Sequence, residues 1–162
     1  MTKKRKIYLD TSIVSYLDTP DVPDKMEDTW TLWRLVEENI EFEAVTSVVT
    51  QTEINQCYEP KRSKMTALLS SVECQILHET PDVITLVGEF INFGVLSRKH
   101  YNDLLHIAYA VVAGCDYIVS WNFKHFVNIN TIDRVNATNL INGYPPIKII
   151  SPSMIQKGNS NE

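Results

Sequence analysis

The sequence predicts an α/β domain with a mostly parallel central sheet of about five strands, covered by helices on both faces. Three observations predict it. Short, unbroken apolar runs of β-prone residues occur at five places, and segments with apolar residues at helical spacing lie between them. The two kinds of segment alternate along the chain, as a parallel sheet buried on both faces requires. The length of 162 residues fits one domain, and 44% hydrophobic with 22% charged residues is ordinary for a folded chain. Residues 1–156 read as that domain and residues 157–162 as a frayed polar tail.

The first strand is the run at 6–9, which stops at Asp10-Thr11-Ser12. A loop at 18–24 holds Pro20 and Pro23, and Met26, Trp30, Trp33 and Val36 then recur at helical spacing through Asn39. Their spacing assigns the two tryptophans to a core or partner interface rather than to base stacking. A second strand covers 42–46. Ser47 suits the N-cap of a helix over 48–57, and Pro60 opens another that runs to 71. The third strand is 73–77. Thr80-Pro81 pairs an N-cap with a first-turn proline and opens a helix that turns Val83, Leu86, Val87, Phe90 and Ile91 inward and ends at Gly94. The most apolar helix holds Leu104, Leu105, Ile107, Ala108, Val111 and Val112 and stops at Gly114. A fourth strand at 117–120, a turn at 122–126, a helix at 132–142 and a last strand at 148–150 complete the pattern.

Several classes of protein are excluded. The longest apolar runs are far shorter than the roughly 20 residues a membrane-spanning helix needs. The basic start, Lys3 to Lys6, precedes only three apolar residues before Asp10, which is no secretory signal. Three widely spaced cysteines, Cys57, Cys74 and Cys115, form neither a disulfide framework nor a zinc motif and fit a reducing cytoplasm. The net charge of −5 excludes a broadly basic nucleic-acid surface, so any RNA contact must be local.

Ligands of such sheets bind outside the carboxyl ends of the strands. Asp10 follows the first strand directly, while Glu53, Asp103 and Asn122 each lie near a helix start or strand end. One acidic residue in a first helical turn, as at Asp103, is ordinarily a partner of the helix dipole. A converging set is different, because clustered carboxylates raise one another's pKa unless a cation neutralises them. Mg²⁺ takes oxygen ligands and keeps several waters, so two or three carboxylates and an amide suffice, and phosphodiester hydrolysis is the reaction such a site serves.

The segments YLDTSIVSYL, TQTEINQ and NDLLHIAYAVVAGCDYIVSWNFKHF resemble, in order and separation, the successive motifs of the PIN-domain family, and the likeness spans nearly the whole chain. The resemblance implies a three-layer α/β/α fold and a Mg²⁺- or Mn²⁺-dependent ribonuclease. Asp10, Glu53 and Asp103 match the family's acidic metal-site positions, and Ser12 its small polar companion. Many bacterial and archaeal members are VapC-like toxins of toxin-antitoxin pairs. The resemblance thus implies an antitoxin partner that reaches the acidic groove with a basic side chain, and a homodimer formed through the first helices. One departure is Asn122, where many members carry a fourth acid; an amide still ligates a cation but brings no charge.

Two readings compete at His106 and at His125: a hydrogen bond behind the metal site or backbone satisfaction for the first, phosphate contact with Lys124 or a surface loop anchored by Phe126 for the second. Tyr8 and Tyr16 either flank the substrate or simply pack. An aspartyl phosphatase of the haloacid-dehalogenase kind needs a second Asp where Ser12 stands, and none of the five glycines builds a phosphate-binding loop. The stronger rival is a catalytically weak or inactive PIN-fold module that binds RNA or protein.

Overall fold

The computed structural model describes residues 3–155, so the expected tail at 157–162 lies outside the described residues. Five strands form one sheet in the order β3-β2-β1-β4-β5: β1 (Arg5–Leu9), β2 (Phe42–Ser47), β3 (Cys74–Leu77), β4 (Tyr117–Val119) and β5 (Lys148–Ile150). Every pairing is parallel, which sharpens the expected "mostly parallel" sheet to an all-parallel one among the described residues.

The pleat sorts side chains between two cores. Ile7, Leu9, Ala44 and Val119 face α1 (Thr11–Ser15), α2 (Pro23–Glu38) and α4 (Lys61–Ser70), with Trp33 and Met65 fully buried there. Tyr8, Val45, Ile118 and Ile149 face the other way, onto α5 (Pro81–Asn92), α6 (Tyr101–Val112) and α7 (Ile129–Ile141). Alternation of Ile7 and Leu9 with Tyr8 is the period-2 geometry of a strand whose two faces are both covered. The short helix α3 (Val48–Asn55) sends Val49 to one core and Ile54 to the other.

The expected boundaries need several corrections. Residues 11–15, where the sequence pattern marks no element, form α1, because Asp10 supplies an extended N-cap and Ile13 and Val14 are buried beneath it. Part of the expected loop at 18–24 belongs to α2, which begins with Pro23 in its first turn, where the missing N–H costs nothing. That helix ends at Asn39, in the left-handed region at φ 52°. Pro60 is the N-cap of α4 rather than its first residue, and α7 begins at Ile129 because Asn128 caps it by accepting from Thr131 N. Ser47 and Thr80 cap α3 and α5 as expected. Trp30 and Trp33 turn into their own chain: Trp33 is buried, and Trp30 Nε1 donates to Leu17 O at 2.9 Å. No helix among the described residues is long and apolar enough to cross a membrane.

The chain runs outward from β1 through β2 to β3, then returns to the other side of β1 to lay down β4 and β5. The order therefore reverses between β1 and β4, and a crevice opens at their carboxyl ends.

Candidate metal centre

Register alone places the first pair of residues. Leu9 pairs with Val119, so the next residues, Asp10 and Ser120, leave β1 and β4 side by side. Asp10 occupies the N-cap of α1, yet its carboxylate does not cap the helix. Instead Oδ1 accepts from Ser12 Oγ at 2.5 Å and Oδ2 from Ser120 Oγ at 2.5 Å. Each serine oxygen accepts in turn from a backbone N–H, Ser12 from Trp121 and Ser120 from Asn122. Both hydroxyl protons are thus committed to Asp10, an arrangement made for an ionised, acceptor-only carboxylate.

That charge is held at a cost. Asp10 is 4% exposed, and burial pushes its pKa up, against the pull of His106, Ser12 and Ser120. A raised value means that the protonated form contributes stability at low pH, which is lost as pH rises through the folded-state value. A nearby cation would offset the burial of the ionised form.

Glu53 reaches the rim from α3. Its Oε1 accepts from Thr11 Oγ1 at 2.9 Å and lies 2.5 Å from His106 Nε2. Burial raises the Glu53 pKa, but the His106 hydrogen bond and charge, with Thr11, outweigh it and the net shift is downward. His106 is fully buried on α6, and its Nδ1 lies 2.6 Å from the Tyr8 hydroxyl, which is 2.8 Å from Ser47 Oγ. Glu53 is therefore the outer end of a buried polar chain. His106 makes the side-chain hydrogen bond that one reading of the sequence anticipated, although its partners are Glu53 and Tyr8 rather than Asp103 or the backbone. Tyr8 belongs to this chain and is too deeply buried to flank a substrate. Because the Glu53 shift is downward, its stabilisation is present above the ordinary carboxylate value and lost as pH falls. The stability advantage of the wild type over Glu53→Gln should accordingly be full at neutral pH and shrink in acid, as urea titrations across pH would show.

Asp103 lies in the first turn of α6 and is half-buried. Its Oδ2 is 2.6 Å from His125 Nδ1, and the His100 ring lies tilted with its centroid 4.1 Å from that of His125. Asn122 accepts a 2.9 Å bond from His125 N on its Oδ1. It thus shapes the loop whose next residue but three, Phe126, is buried at 1% exposure. Asp10 follows β1, Glu53 lies on α3 and close enough to Asp10 to raise its pKa, and Asp103 lies in the first turn of α6. Among the described residues, however, the group of three His, Cys, Asp or Glu side chains whose ligand atoms lie within 4.8 Å of one another is His100, Asp103 and His125. The donors anticipated for a hard cation are all oxygens, from three carboxylates and an amide, which is the chemistry Mg²⁺ and Mn²⁺ accept.

Sequence reasoning missed Ser120, Thr11 and His100. Ser120 carried a faint signal, a hydroxyl directly after an apolar strand; its role emerges only from the pairing of β1 with β4.

No family model matches the chain, and no curated protein matches it in sequence. Solved structures do. VapBC2 from Rickettsia felis, bound to a DNA fragment from its promoter, contains a chain that is 18% identical with a TM-score of 0.60, the match covering 90% of this chain and 98% of that one. VapBC-1 from nontypeable Haemophilus influenzae contains one that is 16% identical with a TM-score of 0.58, covering 91% and 98%. With the all-parallel five-stranded sheet and its order, these likenesses show that the chain has the PIN-domain fold.

Proposed function

We propose that this protein is a divalent-metal-dependent endoribonuclease, the toxin of a type II toxin-antitoxin pair. The observation that carries the reading is the buried Asp10 carboxylate at the switch point of the sheet, its two oxygens held by two hydroxyl donors. A fold that only bound a partner would gain nothing from burying an ionised carboxylate there. The neighbouring structures are VapBC complexes, which supports a protein partner.

In this reading Asp10, Glu53 and Asp103 hold Mg²⁺ or Mn²⁺, with Asn122 as a neutral donor. The ion, when bound, lowers the pKa of water and stabilises charge on the phosphate. Ser12 and Ser120 keep the Asp10 oxygens aimed and prevent rotation of the carboxylate. Glu53, kept ionised by His106 and Thr11, would hold the ion directly or through water and help orient the attacking water. An antitoxin segment with a basic side chain would compete for the same carboxylates. A homodimer through the first helices is part of the proposal, and a monomeric mass in solution would remove it. None of the large apolar side chains exposed among the described residues lies on α2.

The deciding assay is cleavage of a mixed structured-RNA pool by antitoxin-free protein with Mg²⁺, Mn²⁺ or EDTA. Cutting with either ion and none with EDTA is expected. One observation favours the second reading, an inactive binding module: Asn122 spends its oxygen on His125 N and brings no charge. Folded protein that cuts under no ion while binding RNA or a partner would decide for it. Asn122→Asp restores an acid without removing that acceptor and should tighten Mn²⁺ binding by roughly three- to tenfold, measured by calorimetry.

A further inference from the structure

His100 ends a short 3₁₀ turn (Arg98–His100), Asp103 opens α6, and His125 sits in the loop after β4. Two segments, the start of α6 with His100 as its N-cap and the loop after β4, thus bring two imidazoles and a carboxylate together, all half-buried, with their ligand atoms within 4.8 Å of one another. The ring centroids of His100 and His125 stand 4.1 Å apart with the rings tilted by 53°, so they do not stack flat. Only His125 Nδ1 is engaged, with Asp103 Oδ2. His125 Nε2 and both nitrogens of His100 have no hydrogen-bond partner among the described residues. The supports are firm, since His125 N donates to Asn122 Oδ1, and Phe126 and Leu104, neighbours of His125 and Asp103, are buried.

From this geometry we propose that His100, Asp103 and His125 form a binding site for a borderline transition-metal ion of the Zn²⁺ or Co²⁺ class, distinct in donor chemistry from the oxygen-rich site around Asp10. Two imidazole nitrogens and one carboxylate oxygen favour such ions strongly over Mg²⁺. Tetrahedral bonds of about 2.0–2.1 Å place ligand atoms roughly 3.3 Å apart, so small side-chain rotations close the site. A fourth position stays open to water. Lys99 and Lys124 stand near His100 and oppose a cation, so occupancy rests on the three ligands themselves. An ion bound here engages Asp103 and withdraws it from the hydrolytic centre, which makes transition metal an inhibitor of Mg²⁺-dependent cleavage; this last consequence rests on the nuclease reading.

The test uses the metal-free full chain, without RNA, titrated with Co²⁺ and followed by its visible absorption. A single intense band of low-coordinate Co²⁺ is expected, displaced by Zn²⁺ at equal concentration but not by Mg²⁺ at equal concentration. His100→Ala and His125→Ala should each weaken it at least about tenfold, while Asp10→Asn leaves it in place. A band that is absent, or that survives both histidine changes, overturns the site. Because a variant can misfold, the wild type is also followed by NMR on adding Zn²⁺: the imidazole signals of His100 and His125 should move while that of His78 does not, and stationary signals overturn the proposal. No RNA enters either measurement, so failure of the nuclease reading leaves the result interpretable.

Discussion

Asp10→Asn should abolish metal-dependent RNA cleavage, with a loss of about 10³-fold or more, roughly 4 kcal/mol of transition-state stabilisation. The substitution keeps the shape of the side chain but removes its charge. It also disturbs the hydroxyl network, because an amide oxygen accepts from one serine while the NH₂ group faces the other, whose proton loses its acceptor. One unsatisfied buried donor costs about 1–3 kcal/mol, so the variant should be somewhat less stable yet folded. Far-UV circular dichroism and urea unfolding separate that cost from the catalytic loss. Cleavage retained within tenfold of the wild type would remove Asp10 from the metal centre.

His106→Leu should be the most damaging change outside the carboxylates. His106 links Glu53 on the rim to Tyr8 and Ser47 in the core, and it is 2% exposed. Leucine fills most of the space but leaves the Tyr8 hydroxyl without its imidazole partner in a dry environment. Burial already drives the Tyr8 pKa upward, so that hydroxyl will not ionise and must be hydrogen-bonded. The loss should be about 2–4 kcal/mol of stability, read from urea unfolding. Glu53 loses the partner that pulls its pKa down, so Mn²⁺ affinity should fall at mildly acid pH more than at neutral pH. Tyr8→Phe removes the inner hydroxyl while leaving Glu53 paired, and should therefore weaken stability without that pH-dependent loss of affinity.

Much of this arrangement was legible from the chain itself, and the reasons are local. Apolar runs such as Ile7-Tyr8-Leu9 mark strands of a doubly covered sheet, and Ser47 and Thr80 mark helix starts, because both signals lie within a few residues. Asp10 and Asp103 stand at a strand end and in a first helical turn, where such folds expose polar groups, whereas Glu53, expected near such a position, lies in the last turn of α3. The partners of those residues were not legible. Ser120 meets Asp10 across 110 residues of sequence through the pairing of β1 with β4, and His106 meets Glu53 across 53. Asn122 stands after a strand end, at the position where the resemblance implies a fourth acid, and nothing local in the sequence shows that its oxygen also holds the loop that presents His125. The helix α1 went unseen because five residues, TSIVS, rich in β-branched and hydroxyl side chains, carry no helical propensity; burial of Ile13 and Val14 imposes it.

The most direct measurement is a crystal structure of the antitoxin-free protein grown with Mn²⁺, with data collected to record the anomalous scattering of manganese. A peak within about 2.2 Å of an Asp10 oxygen, shared with Glu53 or Asp103 directly or through water, is the predicted result. A map with no peak near Asp10, or with manganese only between His100 and His125, would contradict the account.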